Sequence, residues 1–528
     1  MKSGFFRSTA AAAALSIAAF APQSAAAQEV TLRSNDGSVA MQGVILDFAD
    51  GFYQFQTELG VLRLSAARMI CEGNACPSLE QVDADLVFKG SDTLAQGIMP
   101  LLMSGFASEL GAEADVRNGP RQGTAVAELV GDGGFGDPIG NYLIEATNTD
   151  DGFDALLDDT ANVALSARRI RPDEARALRA VGAGNMVDVR QERIVAVDPV
   201  TVIVNPSNNV DLLTSEQLTG IFSGTIRNWS QVGGPNAPIT VVTREAGTAI
   251  REFFDERVLG SAPISADANV TDDNNTMAAE VNADPNAIGF VGYAFQRGAK
   301  PLTLELTCGI VATPSPFASK TEEYPLDRRL YMYVTENGLT DTTSQFLDFA
   351  TSAAADGAIA KAGFVDLGIT RLTEDLSEEK VQSMRNSAID AYERGFADAL
   401  VEDRLTWDRL SSTFRFASGS SRLDERGRID LQRLVDYLAQ QPDGTEVALV
   451  GFTDSDGAFD GNRTLAIQRA RQVAAELDQL GGSLLNGINF DTKGYGELSP
   501  AACNDNNLGK RVNRRVEVWI RGEAGANG

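Results

Sequence analysis

Alternation of apolar and polar residues marks the first part of the chain after residue 28. In "VTLRSNDGSVAMQGVILDF", the turn residues Asn35, Asp36 and Gly37 separate two alternating segments, which is the pattern of a β-hairpin. The stretch "YQFQTELGVLRLSAARMI" repeats this form, with Gly60 at the turn. We therefore predict a small β-rich module over residues 28–80.

Short apolar runs alternate with helical patterns between residues 84 and 370. The stretches "ADLVFKG", "RIVAVDPVTVIVN", "AIGFVGYAF" and "RRLYMYVT" indicate buried strands, and a helix is predicted near Thr93 to Leu110. In "TSEQLTGIF", Thr214 is the predicted N-cap of a helix and Gln217 completes a capping box. This alternation predicts an α/β fold with largely parallel sheets.

A third pattern follows after a polar stretch. Residues 371–405 have loose helical periodicity and are predicted to be a partly helical linker. Residues 406–521 give the order β-α-β-α-β-β, enough for a complete small domain, and the Gly-rich residues 522–528 are predicted to be a disordered tail. The first helix of this domain has one apolar stripe, formed by Ile429, Leu431, Leu434, Val435 and Leu438.

Composition and charge exclude several kinds of partner and catalytic site. A chain of 528 residues exceeds one hydrophobic core, so several domains are expected. The formal net charge of −28 disfavours nucleic acid as a partner, because its binding needs basic surface. The chain has no histidine, which excludes a Ser-His-Asp triad, a Cys-His pair and histidine-ligated metal sites. We predict no cofactor; an enzyme based on carboxylates alone stays a minor alternative.

The N-terminus has the form of a secretory signal peptide over residues 1–27. Lys2 and Arg7 precede a short apolar stretch, and the small residues 25–27 fit a cleavage site. Export to the periplasm makes disulfides possible. Cys71 and Cys76 lie close enough for a local disulfide, whereas the sequence leaves the state of Cys308 and Cys503 open.

Several separated motifs agree in order within residues 406–521: "FRFASGSSRL", "GFTDSDG", Asn462, "LAIQRAR", "GYGELSP" and "GKRVNRRVEV". Together they resemble the OmpA-like peptidoglycan-associating domain over its whole length. The resemblance implies binding of the meso-diaminopimelate residue in the peptidoglycan stem peptide. It also implies association with the cell wall on the outer-membrane side of the envelope.

That ligand carries ammonium and carboxylate groups, so it needs one negative and one positive partner at a fixed separation. By the resemblance, Asp454 accepts from the ammonium group and Arg469 binds the carboxylate through its planar two-donor fork. Asn462 is expected to shape the loop, with Thr453 and Arg515 lining the pocket. The sequence departs from the family at Phe452, where histidine is common, and Asp456 adds a nearby acid.

The central region resembles the PstS-like periplasmic phosphate-binding proteins. The stretch "LTSEQLTGIFSGTIRNWSQVGG" carries most of this resemblance, and "FKGSDTL", "NVALSARRI" and "AIGFVGY" also fit. It covers about residues 84–370 and implies two α/β lobes joined by a hinge, with an oxyanion held between them. Hydroxyls, backbone N–H groups and an arginine are suited to that anion. The implied anion-binding residues are Ser91, Thr93, Gly123, Thr124, Ser166, Arg168, Arg244, Gly247 and Thr248.

The sequence departs from the family at two points that bear on the ligand. The second-lobe loop reads "EAGTAIR", so Ala249 and Ile250 stand where the family has a glycine and a hydroxyl. No carboxylate equivalent to the family's proton acceptor is evident beside Ser166. Phosphate is the leading ligand, another oxyanion is the second choice, and a lost or unrelated ligand is the third.

These patterns predict a non-catalytic envelope protein that captures an oxyanion and is tethered to peptidoglycan. An ABC permease is a candidate partner, although a tethered carrier could not diffuse to its permease. The alternative is an envelope scaffold whose substrate-binding fold has lost its ligand.

Overall fold

The computed structural model describes residues 29–34, 39–49, 52–57, 60–65, 69–73, 75–76, 83–374, 376–420 and 425–522. The predicted signal peptide, the turn at residues 35–37 and residues 523–528 of the predicted tail lie outside this part of the chain. The chain divides into two compact units. The first comprises residues 1–81 with 120–122, and the second comprises residues 82–119 with 123–528.

The first unit contains the predicted β module. Its described strands form one antiparallel sheet in the order β4-β3-β2-β1-β5. Val30, Leu32, Tyr53 and Phe55 form its buried core, and the predicted Cys71–Cys76 disulfide is present. The strands are β1 (Val30–Ser34), β2 (Ala40–Ala49), β3 (Phe52–Thr57), β4 (Gly60–Ser65) and β5 (Met69–Glu72).

The second unit begins with a two-lobed region. Its first elements are β6 (Leu86–Ser91), α1 (Asp92–Gly97), α2 (Met99–Glu109), β7 (Glu113–Asn118), β8 (Thr124–Val130), α3 (Gly131–Gly134), β9 (Pro138–Thr147), α4 (Thr149–Leu157), β10 (Val163–Ser166), α5 (Pro172–Ala180) and β11 (Glu192–Val197). Then follow β12 (Val200–Val204), β13 (Leu212–Thr214), α6 (Ser215–Phe222), β14 (Thr240–Arg244), α7 (Ala249–Phe254), β15 (Asn269–Thr271), α8 (Asn274–Ala283) and β16 (Ala287–Gly292). The region ends with β17 (Lys300–Pro301), β18 (Thr303–Glu305), β19 (Val311–Ala312), α9 (Pro316–Lys320), β20 (Arg329–Val334), α10 (Asp341–Ala350) and α11 (Ala353–Lys361).

Lobe 1 is formed by residues 83–119, 123–197 and 329–365 around a seven-stranded sheet, in the order β11-β20-β10-β6-β9-β8-β7. Lobe 2 is formed by residues 198–328 around a five-stranded sheet, in the order β15-β14-β16-β12-β17. Helices cover these sheets, and each lobe has its own apolar core. The predicted α/β fold is confirmed, and so is the capping box of α6, in which Thr214 and Gln217 bond reciprocally.

The expectation of largely parallel sheets was wrong, because both sheets are mixed. In lobe 1, β6 pairs in parallel with β9 and β10, whereas β7, β8, β11 and β20 join antiparallel. Tight connections link β7, β8 and β9, which forces neighbouring strands to reverse. The strands β11 and β20 lead the chain out of lobe 1 and back into it, so they also run in opposite directions.

The hinge lies where the chain crosses between the lobes, near Asp198 and Arg328. Their side chains form a fully buried ion pair, with Nη2 2.6 Å from Oδ2. Burial raises the pKa of Asp198, and Arg328 opposes that rise. A buried charge that loses its partner is strongly destabilising, so this pair fixes the crossing point.

The rest of the second unit is a C-terminal domain, with β21 (Arg371–Leu372), α12 (Glu378–Asn386), α13 (Ala391–Thr406), β22 (Asp408–Arg415), α14 (Glu425–Leu438), β23 (Glu446–Gly451), α15 (Phe459–Gly481), β24 (Asn489–Gly494), α16 (Asn507–Asn513) and β25 (Arg515–Arg521). Its sheet has the order β21-β22-β25-β23-β24. Apolar residues of α14 and α15 pack on one face, and α13 packs on the other through Ala397 and Leu400.

Two details differ from the sequence prediction. The segment predicted as a linker is part of the domain, because β21 joins its sheet and α13 covers a sheet face. Ile429 does not belong to the buried stripe of α14, since it is 40% exposed whereas Leu431 and Leu434 are buried. Among the described residues, no helix is both long and apolar enough to cross a membrane.

Candidate functional site

The C-terminal pocket is built where β23 ends and α15 begins. Gly451 closes β23, and a Cβ atom there would lie 2.0 Å from the carbonyl oxygen of Ala466 on α15. Any other residue would push the helix away from the strand. This close approach brings Asp454, in the loop after β23, near Arg469, in the middle of α15.

Asp454 is nearly buried and already has a cationic partner. Its Oδ2 accepts a hydrogen bond from Nη1 of Arg514 at 2.7 Å, and its Oδ1 accepts one from the backbone N–H of Asp456 at 3.3 Å. Asn462 donates to the carbonyl oxygen of Asp454 at 3.4 Å. The carboxylate is thus positioned from both sides.

Arg469 is fully buried, and its guanidinium donates to three backbone carbonyls. These belong to Ser420 at 2.9 Å, Ala417 at 3.3 Å and Phe452 at 3.4 Å. Burial lowers the pKa of Arg469 to about 10; the neighbouring Arg514 lowers it further, whereas Asp454 opposes the change. Arg469 and Asp454 therefore lie in one electrostatic neighbourhood, as the zwitterion hypothesis requires.

One residue that was predicted to line the pocket, Arg515, does not do so in the structure. Arg515 turns away from the pocket, because its Nε donates to Glu517 at 2.7 Å and its guanidinium stacks on the ring of Phe452. The neighbouring Arg514 contacts Asp454 instead, and the sequence analysis missed it. Arg514 lies between the end of α16 and the start of β25, whereas Arg515 is the first residue of β25.

Two further residues of the pocket have defined environments. The Oγ1 atom of Thr453 is buried and has no hydrogen-bond partner, so it is available to a ligand. The extra acid, Asp456, is neutralised by Lys510, whose Nζ lies 2.7 Å and 2.9 Å from the two carboxylate oxygens.

The second candidate site lies between the two lobes. The parallel strands β6, β9 and β10 end at one edge of the lobe 1 sheet, which brings Ser91, Thr147 and Ser166 together. Gly123 joins them, because its carbonyl oxygen accepts from the backbone N–H of Ala146 at 2.6 Å. Its φ of +73° is a conformation that favours glycine.

Arg244 ends β14 of lobe 2 and reaches this edge. It is 1% exposed, and its Nη2 donates to the carbonyl oxygen of Asp272 at 2.7 Å and to Asp92 of lobe 1 at 3.4 Å. A second contact between the lobes joins Arg171 to Glu252 at 3.2 Å. The lobes therefore approach each other closely around Ser91, Asp92 and Arg244.

Two buried polar atoms beside this contact have no hydrogen-bond partner in the structure: Oγ of Ser91 and Nε of Arg244. Buried polar groups are nearly always paired, so an unpaired hydroxyl and an unpaired cationic donor point to a missing partner. An oxyanion could accept from both.

Other residues that were predicted to bind the anion already have partners within the protein. Arg168 is paired with Asp150 and Glu174, and the hydrogen bond and charge of Arg168 lower the pKa of Asp150 despite its partial burial. The hydroxyl of Ser166 donates to the carbonyl oxygen of Arg168 at 2.6 Å. Thr248 closes its own loop by donating to the carbonyl oxygen of Glu245 at 2.8 Å, next to Gly247.

The remaining predicted residues lie at the same edge. Thr93 is buried in α1, and Thr124 begins β8 opposite Glu145. The sequence analysis missed Asp92, although this residue stands between two named candidates. Its carboxylate beside Arg244 can only accept hydrogen bonds, which favours an anion that still carries a proton.

Residues 136–354 match the PBP superfamily domain, and residues 415–514 match the OmpA family. The phosphate-binding protein PstS of Staphylococcus saprophyticus is 30% identical over 241 residues, which is 44% of this chain and 73% of that protein. The chain belongs to the PstS family. Its PstS-like part is the two-lobed region, and its C-terminal part is an OmpA-like domain.

Solved structures give matches of the same kinds. An ABC-type phosphate transport receptor from Vibrio cholerae matches with 24% identity and a TM-score of 0.41, covering 53% of this chain and 99% of that one. The peptidoglycan-associated lipoprotein from Burkholderia pseudomallei matches with 23% identity and a TM-score of 0.19, covering 21% of this chain and 90% of that one.

Proposed function

We propose that this chain is a non-catalytic protein of the periplasm that captures phosphate between the lobes of its PstS-like part. Its OmpA-like domain holds it to peptidoglycan through the meso-diaminopimelate residue of the stem peptide. The relatives named as phosphate-binding proteins support the choice of ligand.

The observation that carries the anion site is the pair of unpaired buried atoms, Oγ of Ser91 and Nε of Arg244. They belong to different lobes, so one oxyanion between them would satisfy both and hold the lobes together. Arg244 supplies the positive charge in a protein whose formal net charge is −28. Asp92 favours the monohydrogen form of phosphate over sulfate, which has no proton to donate at neutral pH.

Calorimetric titration of the full chain with phosphate, sulfate and molybdate tests this site. We expect phosphate to bind and sulfate to bind at least about ten times more weakly, because a lone pair of Asp92 would face an oxygen of sulfate without a proton. No heat with any of the three anions would reject the anion site. It would support the alternative function, an envelope scaffold that has lost its ligand.

The proposed peptidoglycan-binding site in the C-terminal pocket is called the wall site here. It rests on the positions of Asp454 and Arg469, which place one acceptor group and one donor group near each other. The full chain should co-sediment with purified peptidoglycan, and Asp454→Ala and Arg469→Ala should each abolish this. Asp478→Ala is a suitable control, because Asp478 is exposed elsewhere on α15. If Asp454→Ala and Arg469→Ala both co-sediment with peptidoglycan as fully as the unsubstituted protein, the wall site is rejected. An ABC permease remains the candidate partner for delivery of phosphate.

A further inference from the structure

The OmpA-like domain is covalently fixed to lobe 2. A disulfide joins Cys308 of lobe 2 to Cys503 of the domain, although the two lie 195 residues apart in sequence. Beside it, Oγ1 of Thr307 donates to Asp505 at 2.8 Å. A tether that only held the protein near the wall would need no such bond.

Buried ion pairs reinforce the same contact. The side chain of Arg409 on β22 is 5% exposed and pairs with Glu323 of lobe 2, and its guanidinium also lies over the ring of Phe317. Arg415 donates to the carbonyl oxygen of Thr321. Separating these charges from their partners would leave them buried and unpaired, which is strongly destabilising. The domain and lobe 2 therefore move as one body.

The contact with lobe 1 is different. A cavity of about 480 Å³ lies between lobe 1 and the domain, with Arg193 and Ile194 on one side and Ser412 and Thr413 on the other. Arg433 of α14 reaches lobe 1 directly. It donates to the carbonyl oxygen of Thr351, and its Nη1 lies 3.8 Å from Asp356.

We propose that the OmpA-like domain is a brace for the anion cleft. It forms one rigid body with lobe 2, and Arg433 holds lobe 1 against that body in the closed arrangement seen at Asp92 and Arg244. Opening of the cleft about the hinge moves lobe 1 relative to this body, so the Arg433–Thr351 bond must break. The brace itself follows from these contacts, whereas its effect on phosphate rests on the proposed function.

Distance measurements on the ligand-free full chain test the brace. Fluorophores are placed by bio-orthogonal chemistry, which leaves the disulfides intact, at the exposed positions Ala177 in lobe 1, Ser261 in lobe 2 and Ala475 in the domain. In Arg433→Ala, the distance distribution between positions 177 and 261 should broaden, while that between 261 and 475 should not change. The control is Gln432→Ala on the same helix, because Gln432 bonds only within that helix, to Asp436.

An unchanged 177–261 distribution in Arg433→Ala, relative to the control, would overturn the brace. A broad 261–475 distribution in the unsubstituted protein would overturn it as well. The rate of phosphate release then gives the functional readout. Arg433→Ala should release phosphate at least about ten times faster, the effect of losing one hydrogen bond from a charged donor. If the unsubstituted protein binds no phosphate, the proposed function fails, and the distances still decide on the brace.

Discussion

Arg514 donates a hydrogen bond to Asp454, with Nη1 2.7 Å from Oδ2, and both side chains are largely buried. The carboxylate proposed to bind the ammonium group of the wall peptide is therefore already neutralised in the free protein. An incoming ammonium group must share the carboxylate with Arg514 or displace it.

We expect Arg514→Gln to lower stability and to tighten binding of a muropeptide that contains meso-diaminopimelate. The loss of Arg514 leaves Asp454 buried without a counter-charge, at a cost of about 1–3 kcal/mol. An ammonium ligand would restore the lost partner, so the same free energy favours binding. Denaturant unfolding measures the first effect and calorimetry the second. Weaker binding would instead show that Arg514 contacts the ligand itself.

The interdomain disulfide makes a separate prediction. Replacing Cys308 and Cys503 together by alanine should destabilise the second unit by about 4–5 kcal/mol, because the bond closes a long loop in the unfolded chain. The matched control is the variant in which Cys71 and Cys76 are both replaced by alanine. The disulfide that it removes joins residues only 5 apart in sequence. Its effect should be about half as large and confined to the first unit. Equal effects on the unfolding of the second unit would contradict this.

Sequence reasoning succeeded where a motif has a local cause. The capping box at Thr214 and Gln217 needs only neighbouring residues, and the structure contains it. Asp454 and Arg469 come close because Gly451 lets α15 approach β23, and the motif includes all three residues. The two-lobed fold and the OmpA-like domain were recognised in the same way.

Contacts between residues far apart in the sequence could not be predicted from it. The sequence does not distinguish Arg514 from Arg515, and the connection between α16 and β25 decides which side chain reaches Asp454. The Cys308–Cys503 bond and the Arg433–Thr351 bond depend on how a domain packs on two lobes. The role of Asp92 was missed for a similar reason, since its partner Arg244 is 152 residues away.

The different surroundings of two arginines predict different roles. Both arginines have a buried, unpaired Nε, but Arg244 reaches across the cleft to Asp92, whereas Arg168 is held within lobe 1 by Asp150 and Glu174. Arg244→Ala should therefore abolish phosphate binding, with affinity reduced at least about 100-fold for the loss of a charged donor. Arg168→Ala should change affinity by less than about fivefold while lowering stability. Calorimetry and thermal unfolding of both variants separate these outcomes, and a larger loss of affinity in Arg168→Ala would reverse the assignment.

Asp327 makes stability depend on pH at the contact between lobe 2 and the OmpA-like domain. It lines a cavity of about 230 Å³ there, together with Glu322 and Arg511. Burial and the charge of Glu322 raise the pKa of Asp327 to about 6, although Arg329 and Arg511 oppose the shift. The usual pKa of an aspartate in an unfolded chain is about 3.9.

Because its folded pKa is raised, Asp327 binds more protons in the folded state between pH about 4 and 6, and its contribution to stability falls as pH rises through that window. Asp327→Asn removes this dependence. The variant should therefore gain about 1–3 kcal/mol over the unsubstituted protein at pH 7, and almost none at pH 4. Urea unfolding at both pH values measures the difference, with Asp478→Asn as the exposed control. A loss of stability at pH 7 would mean that the ionised carboxylate gains more from Arg329 and Arg511 than burial costs it.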